Sequence, residues 1–285
     1  TCKMTLVEGE VETLFPEAPA ISPRDARRRR ILACQSSPKT DVVVKPTWVQ
    51  DGPRDGMATR RTRAVLTEKD EIGPAIFRLR FTLDAVVPFH EGQHAVIELP
   101  GGLRRCYSMS NRPGTTTAEF IMKRYTGRVG SEAISALSPG DEAVIEMPYG
   151  EMWIRDTDAP ICMVAGGTGI APILGMLRRL AADRDGRAVR VVYGANIYDE
   201  LVCWDDLANL ALELPHAELV GALSTAHPGW SGVEGLVTHA LEPMLADLSD
   251  GDFYIAGPPV MTNAVREQLS QGGIQLDRIR YDSFG

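Results

Sequence analysis

The stretch Ile161-Cys162-Met163-Val164-Ala165-Gly166-Gly167-Thr168-Gly169-Ile170-Ala171-Pro172 decides the fold. Its first five residues are apolar without interruption, as in a strand buried on both faces, and apolar residues at helical spacing follow over 170–180. Between the two, glycines let the backbone approach a ligand closely, and a helix start offers free N–H groups to a pyrophosphate. Pro172 suits the first helical turn. The run is not the G-x-G-x-x-G fingerprint, so its meaning comes from its place between strand and helix.

Working outward toward the C-terminus, strand-like runs at 189–193, 217–223, 253–256 and 278–281 alternate with helical ones at 204–214, 239–248 and 261–269. That alternation predicts a doubly wound α/β domain with a parallel sheet. Ala256-Gly257-Pro258-Pro259-Val260-Met261 closes one strand and opens a helix, so it shares a sheet edge with the Gly166 loop and can face the same crevice. Upstream the texture changes. Short alternating runs at 63–66, 75–82, 95–99, 119–124 and 143–147, separated by turn residues, predict a small antiparallel β barrel. On one of its strands stands Arg105-Cys106-Tyr107-Ser108. An Arg pairs a phosphate bidentately, a Tyr ring packs on a flat cofactor, and a Ser hydroxyl bonds a ring nitrogen. Residues 47–59 read as a linker, and residues 1–46 as a turn-rich piece ending in a strand at 41–45.

Composition narrows the function. The chain has 285 residues and a formal net charge of −8, which argues against a nucleic-acid partner. No apolar run approaches the ~20 residues of a membrane-spanning helix, and no signal-like segment is present. Five widely spaced cysteines give no disulfide framework, which places the chain in a reducing, cytoplasmic setting. The basic run at 27–30 reads as a solvated face or a partner-docking patch. His90 and His94 lie in a turn-to-strand segment where a four-residue spacing shares no helical face, so they read as structural. Cys106, Cys162 and Cys203 read as buried, inert thiols.

The order of the 105–108 stretch, Pro148-Tyr149-Gly150, the 166–172 loop and the 256–261 stretch resembles the ferredoxin–NADP reductase superfamily. It resembles more closely the reductase components of bacterial ring-hydroxylating and other non-haem oxygenases. The likeness covers 60–285 and implies an FAD-binding barrel over 60–157 and an NAD-binding domain over 158–285. By that resemblance, Arg105 would bind the FAD phosphates, Tyr107 would pack on the isoalloxazine, and Ser108 would bond its N5. Tyr107 and Ser108 are thus the catalytic candidates. Lys123 and the Gly130-Ser131 helix start would complete the phosphate site, and Phe284 would cover the flavin until nicotinamide displaces it. Gly167, Thr168, Gly169 and Pro172, with Ala256, Gly257, Pro258 and Met261, would hold NADH. Ala256 stands where many relatives have Cys, which puts a thiol contribution there in doubt.

The loop Gly194-Ala195-Asn196-Ile197-Tyr198-Asp199-Glu200 carries no Lys or Arg to neutralise a 2′-phosphate, whereas Asp199 or Glu200 can accept from a free ribose hydroxyl. NADH is therefore expected over NADPH. At the other end, the segments 1–9 and 31–36 resemble the second half of a plant-type [2Fe–2S] ferredoxin, a β-grasp domain. Cys2 and Cys34 would be its third and fourth cluster ligands, with the first two upstream of Thr1. The function expected is an NADH-dependent reductase passing electrons through FAD to a [2Fe–2S] centre and on to an oxygenase component. The cluster would belong to a fuller chain and not be held by these residues alone. Two rival readings stay open: the cytoplasmic part of a membrane NADH:quinone reductase, and a non-catalytic regulatory or interaction subunit that keeps the fold.

Overall fold

The computed structural model describes residues 3–14, 21–46, 57–99 and 101–284. The chain divides into two compact units, Thr1–Gly56 and Met57–Gly285. In the first, β1 (Lys3–Glu8) pairs antiparallel with β3 (Arg30–Leu32) and β5 (Val43–Pro46), while β2 (Val11–Thr13) pairs with β4 (Ser36–Pro38). A short helix, α1 (Pro23–Arg27), has no counterpart in the expected elements. Its signal was local: Ser22 caps the Asp25 N–H and proline occupies the first turn. The basic run straddles the end of α1 and the start of β3, and Arg30 is tied to Asp25 at 2.7 Å. Of the expected linker at 47–59, residues 47–56 lie outside the described residues.

The second unit begins with a six-stranded antiparallel sheet, made of β6 (Arg60–Gly73), β7 (Ile76–Leu83), β8 (His94–Glu98), β9 (Arg104–Ser108), β10 (Thr117–Lys123) and β11 (Glu142–Tyr149). The strand order is β10-β7-β6-β11-β8-β9. The two edge strands meet where Met109 bridges Phe120 and the Ser110 N–H donates to the Glu119 carbonyl at 2.9 Å. That seam curls the sheet into the expected barrel. Inside it Phe81 and Phe120 meet edge to face among Leu66, Leu79, Ile97 and Met122. Helix α2 (Val129–Ala136) follows β10 and packs Ile134 into this core.

After Pro160 comes a six-stranded parallel sheet: β12 (Ile161–Gly166), β13 (Val189–Ala195), β14 (Ala217–Leu223), β15 (Val233–Glu234), β16 (Asp252–Gly257) and β17 (Ile279–Ser283). Its order is β15-β14-β13-β12-β16-β17. Alternate residues of β12 feed two cores. Ile161, Met163 and Ala165 pack beneath α3 (Ile170–Asp183) and α4 (Trp204–Leu212), and Cys162 and Val164 beneath α5 (Val237–Leu241) and α6 (Pro259–Gln271). Burial on both faces is why the strand reads as an unbroken apolar run. The helix expected over 239–248 is instead α5 followed by a 3₁₀ stretch, Glu242–Leu248, because Pro243 has no N–H to continue the α ladder.

Strand β10 joins the two halves. Its Ala118, Phe120 and Met122 lie in the barrel core, whereas Ile121 lies in the core of the parallel sheet. Flanking Ile121 on the same face, Glu119 pairs with Arg178 of α3 and Lys123 with Glu200, the residue ending the 3₁₀ turn Tyr198–Glu200. A third pair, Arg78 with Asp206 of α4 at 2.6 Å, comes from neighbouring β7.

Candidate functional site

The parallel sheet reverses its winding between β12 and β16, so the crevice at their carboxyl ends is a topological switch point. Both glycine-containing loops lie there. A methyl group on Gly169 would stand 2.1 Å from the Ala256 carbonyl oxygen, and one on Gly166 would stand 2.4 Å from the Met261 sulfur. Only glycine permits that approach. Gly166, Gly169, Ala256, Gly257, Pro258 and Met261 are thus brought together, and Gly167 faces open space. Pro172 is buried in the first turn of α3.

The barrel's contribution stands on β9. Tyr107 and Ser108, with His94, Cys106, Asp282, Ser283 and Phe284, line a cleft of about 180 Å³. Barrel strand and C-terminal strand thus face each other across it. Phe284 is fixed by its N–H, which donates to the Gly257 carbonyl at 2.9 Å, so the C-terminus is tied to the same loop that meets Gly169. Ser108 is 5% exposed, and its hydroxyl has no hydrogen-bond partner among the described residues. An unpaired buried hydroxyl costs roughly 1–3 kcal/mol, so a ligand acceptor at this point would be strongly welcomed. Burial raises the Tyr107 phenol to about 12, keeping it neutral. Arg105 reaches over the start of α2, where a methyl group on Gly130 would lie 1.8 Å from its Nε. That pairing of a guanidinium with a helix start fits a phosphate. Ser131 is committed to its own loop: its hydroxyl accepts from the Tyr125 N–H at 3.0 Å.

Several residues stand differently from expectation. Lys123, expected at the phosphate site, pairs with Glu200 here and ties barrel to sheet. Asp199 lines a separate cavity of about 410 Å³ with Tyr198, Trp204 and Trp230. Cys106 is exposed and not buried, because the register sets it opposite Val96, on the face away from the barrel core that holds Ala95 and Ile97. Cys203 is half-buried, and it sits in a left-handed turn before α4 and bonds Arg78 at 3.0 Å. Cys162 is buried as expected. Cys2 lies outside the described residues, while Cys34 stands exposed in the 3₁₀ turn Ala33–Gln35. Among the described residues no group of three or more His, Cys, Asp or Glu is arranged to hold a metal.

Sequence reasoning missed His94 and Asp282. His94 pairs across the hairpin with Ser108 and stacks on Tyr149 at 5.9 Å, and burial lowers its pKa. The register that sets it beside Ser108 is a pairing no single strand reveals. Asp282 offered one signal, an acidic residue two places before Phe284. Its Oδ2 is buried without a partner among the described residues, and burial pushes its pKa up to about 6.

A barrel and a parallel sheet that share one cleft, with a phosphate cradle on the first and a nucleotide loop on the second, define a two-domain flavin- and nicotinamide-dependent oxidoreductase. Sequence comparisons agree. Residues 63–153 match the oxidoreductase FAD-binding domain and 163–267 the oxidoreductase NAD-binding domain. The chain is 35% identical to the ferredoxin–NAD(+) reductase component of the alkene monooxygenase system of Xanthobacter autotrophicus, covering 100% of this chain and 88% of that one. It is 31% identical to the reductase component of phenol 2-monooxygenase from a Pseudomonas species, over 95% of this chain and 79% of that one. Among solved structures, the Amycolatopsis cytochrome P450 reductase GcoB superposes with a TM-score of 0.82 at 27% identity, covering 100% and 87%. The ferredoxin reductase of carbazole 1,9a-dioxygenase does so with the same score and identity, covering 100% and 86%. The chain belongs to the reductase components of oxygenase systems, within the ferredoxin–NADP reductase superfamily. It is an oxidoreductase that passes electrons from a reduced nicotinamide through FAD.

Two measurements probe the cleft. Arg105→Ala is expected to weaken FAD binding by about 1.5–3 kcal/mol, the range for a charge-assisted contact. Titration of apoprotein with FAD reads this directly, and unchanged affinity would remove Arg105 from the phosphate site. The second concerns Asp282 in the apoprotein. Well below the usual 3.8 its carboxyl is protonated in folded and unfolded chains alike, and it carries no penalty. As pH rises from the usual 3.8 to about 6 the unfolded chain ionises first, so stability falls through this window and the penalty is constant above it. Asp282→Asn is expected to remove a penalty of up to about 3 kcal/mol at neutral pH and to change little at pH 4. Urea unfolding at the two pH values measures it, and a stabilisation that is the same at both would contradict the assignment.

Proposed function

We propose that residues 60–157 hold FAD, that residues 158–285 bind NADH, and that the electrons leave through a [2Fe–2S] centre to an oxygenase component. The observation that carries this reading is the shared cleft, to which the barrel gives Tyr107 and Ser108 and the C-terminal strand gives Asp282 and Phe284. Bound there, FAD would accept a hydride from the nicotinamide and release its electrons singly. The chain's own part is placement. Arg105 and the start of α2 would take the pyrophosphate, with Lys123 and Ser131 as further candidates there. The Ser108 hydroxyl, unpartnered among the described residues, would donate to a ring nitrogen and so be satisfied. Tyr107 and Phe284 would offer aromatic faces for the flavin ring. The Gly166 loop and the Gly257 stretch hold the nicotinamide dinucleotide, with Thr168 and Gly169 giving backbone N–H groups at the start of α3.

An oxygenase-type acceptor is supported by the relatives, which are named as reductase components of alkene and phenol monooxygenase systems. The Thr1–Gly56 unit is read as part of a plant-type ferredoxin domain, with Cys34 exposed in a short turn as a cluster-facing residue would be. The path out of the reduced flavin would run through that domain. No helix among the described residues is long and apolar enough to cross a membrane.

Two experiments test the reading. The turns after β13 and β14, 194–200 and 224–230, contain no Lys or Arg, so NADH is expected to give the higher kcat/KM. Steady-state comparison with ferricyanide as acceptor decides it, and equal or better use of NADPH refutes the choice. The cluster assignment is read separately. Cys2 and Cys34 supply two of the four thiolates a plant-type cluster takes. Iron analysis and EPR after dithionite reduction should therefore find no stoichiometric [2Fe–2S] signal in these 285 residues. Finding one would show that the ligand assignment is wrong.

A further inference from the structure

The barrel seam holds a deeply buried charge, and nothing in the cofactor chemistry above uses it. Glu119 of β10 is 4% exposed at its side chain. Its Oε1 accepts from the Ser110 hydroxyl at 2.7 Å and from Arg178 Nη1 at 2.8 Å, and its Oε2 accepts from Arg80 Nε at 2.8 Å. The same Arg178 nitrogen donates to the Ser110 carbonyl at 2.9 Å. Burial acts to raise the Glu119 carboxyl, but the charge of Arg178 and the hydrogen bonds from Arg80, Arg178 and Ser110 outweigh it and bring it down to about 2. The carboxylate therefore stays ionised and fully bonded at any working pH.

What this network connects is the point. Ser110 lies two residues beyond Ser108, on the chain leaving β9. Arg178 lies on α3, the helix whose first turns carry Gly169, Ala171 and Pro172. The helix approaches closely, for a methyl group on Gly175 would stand 3.2 Å from the Met109 carbonyl oxygen and 3.3 Å from that of Ser110. Helix α3 thus rests directly on the segment next to Ser108, and one guanidinium clamps it there. A buried ion pair is a poor source of stability because desolvation offsets most of its attraction. Its geometry, however, is strict, and misplacing reacting groups by about 1 Å costs roughly 100-fold in rate.

We propose that the Glu119–Arg178 pair is a positioning device that sets the nucleotide loop at the head of α3 against the flavin-facing residues Tyr107 and Ser108. The inference rests on the flavin and nicotinamide reading above. Neither residue lines the cleft of Tyr107 and Ser108. Lys123–Glu200 and Arg78–Asp206 hold the same two halves together from further along β10 and β7, so loss of Arg178 leaves them docked while freeing the helix beside the seam.

Arg178→Gln is the primary variant, because Glu119 then keeps Arg80 and Ser110 and the seam stays bonded. In the FAD-loaded protein, anaerobic flavin reduction at saturating NADH is expected to fall about 10- to 100-fold. Half-saturation by NADH and the reoxidation of chemically reduced flavin by ferricyanide should stay near their wild-type values. In the apoprotein, amide hydrogen exchange over residues 166–178 should accelerate. Arg178→Lys, which keeps one charged donor, should recover part of both effects. A folded, FAD-loaded Arg178→Gln protein with a wild-type reduction rate overturns the proposal, as does an Arg178→Lys protein no better than Arg178→Gln. Should Arg178→Gln fail to fold, Glu119→Asp carries the test: it keeps the charge but shortens the arm, and an unchanged reduction rate in it overturns the proposal. Wild-type protein that binds no FAD, or whose flavin NADH cannot reduce, would strike the flavin and nicotinamide reading itself and is distinguishable from every outcome above.

Discussion

Strand β10 serves two cores at once, and the rest of the second unit depends on that. A strand's side chains alternate between faces, so one seven-residue strand can place Ala118, Phe120 and Met122 in the barrel while Glu119, Ile121 and Lys123 meet the parallel sheet's domain. A one-residue slip would exchange the two sets, burying a carboxylate and an ammonium inside the barrel and presenting Phe120 to the neighbour. Such a slip is so costly that the register is fixed. Because β10 is also the edge where the barrel closes on Met109 and Ser110, fixing it fixes the strand that carries Tyr107 and Ser108.

The second constraint is the close approach at the switch point. The Gly169 backbone sits against the Ala256 carbonyl with no room for a side chain, and Phe284 is bonded back to Gly257. Three separate parts of the chain therefore converge on the cleft: β9 from the barrel, the head of α3, and the end of β17. The cleft belongs to no single element. It exists only because the barrel and the sheet are held in one relative position, which is why the charged face of β10 matters for chemistry that takes place elsewhere.

Charge is handled differently at the interface and in the cleft. At the interface the buried carboxylate is over-supplied with donors, so its ionised form is favoured. In the cleft the polar groups are under-supplied. Ser108 and Asp282 carry buried atoms with no partner among the described residues, His94 is pushed toward its neutral form, and Tyr107 is held as a phenol. A structural core satisfies its polar groups, while a binding cleft leaves some for the ligand to satisfy.

The sequence by itself determined most of the elements, and it picked out Tyr107, Ser108 and Phe284, which line the cleft. The unbroken apolar run at 161–165, the glycines after it and the 105–108 stretch are local signals, set by which side chains and backbone angles neighbouring residues permit. The alternation of strands and helices then implied the switch point where both glycine loops lie. Local reading failed where the deciding contact was distant in the chain. His94 faces the cleft because β8 pairs with β9 in a particular register, and the same register puts Cys106 opposite Val96, away from the barrel core. That Lys123, a phosphate-ligand candidate in the sequence, also pairs with Glu200 from 77 residues away is a matter of the fold. Likewise Glu119 is an ordinary polar position on an alternating strand, and only the docking of α3 makes it a buried carboxylate with three partners. Which residues can bind was written in side-chain chemistry. Which of them meet was decided by packing, since long-range contacts depend on the whole fold being in place.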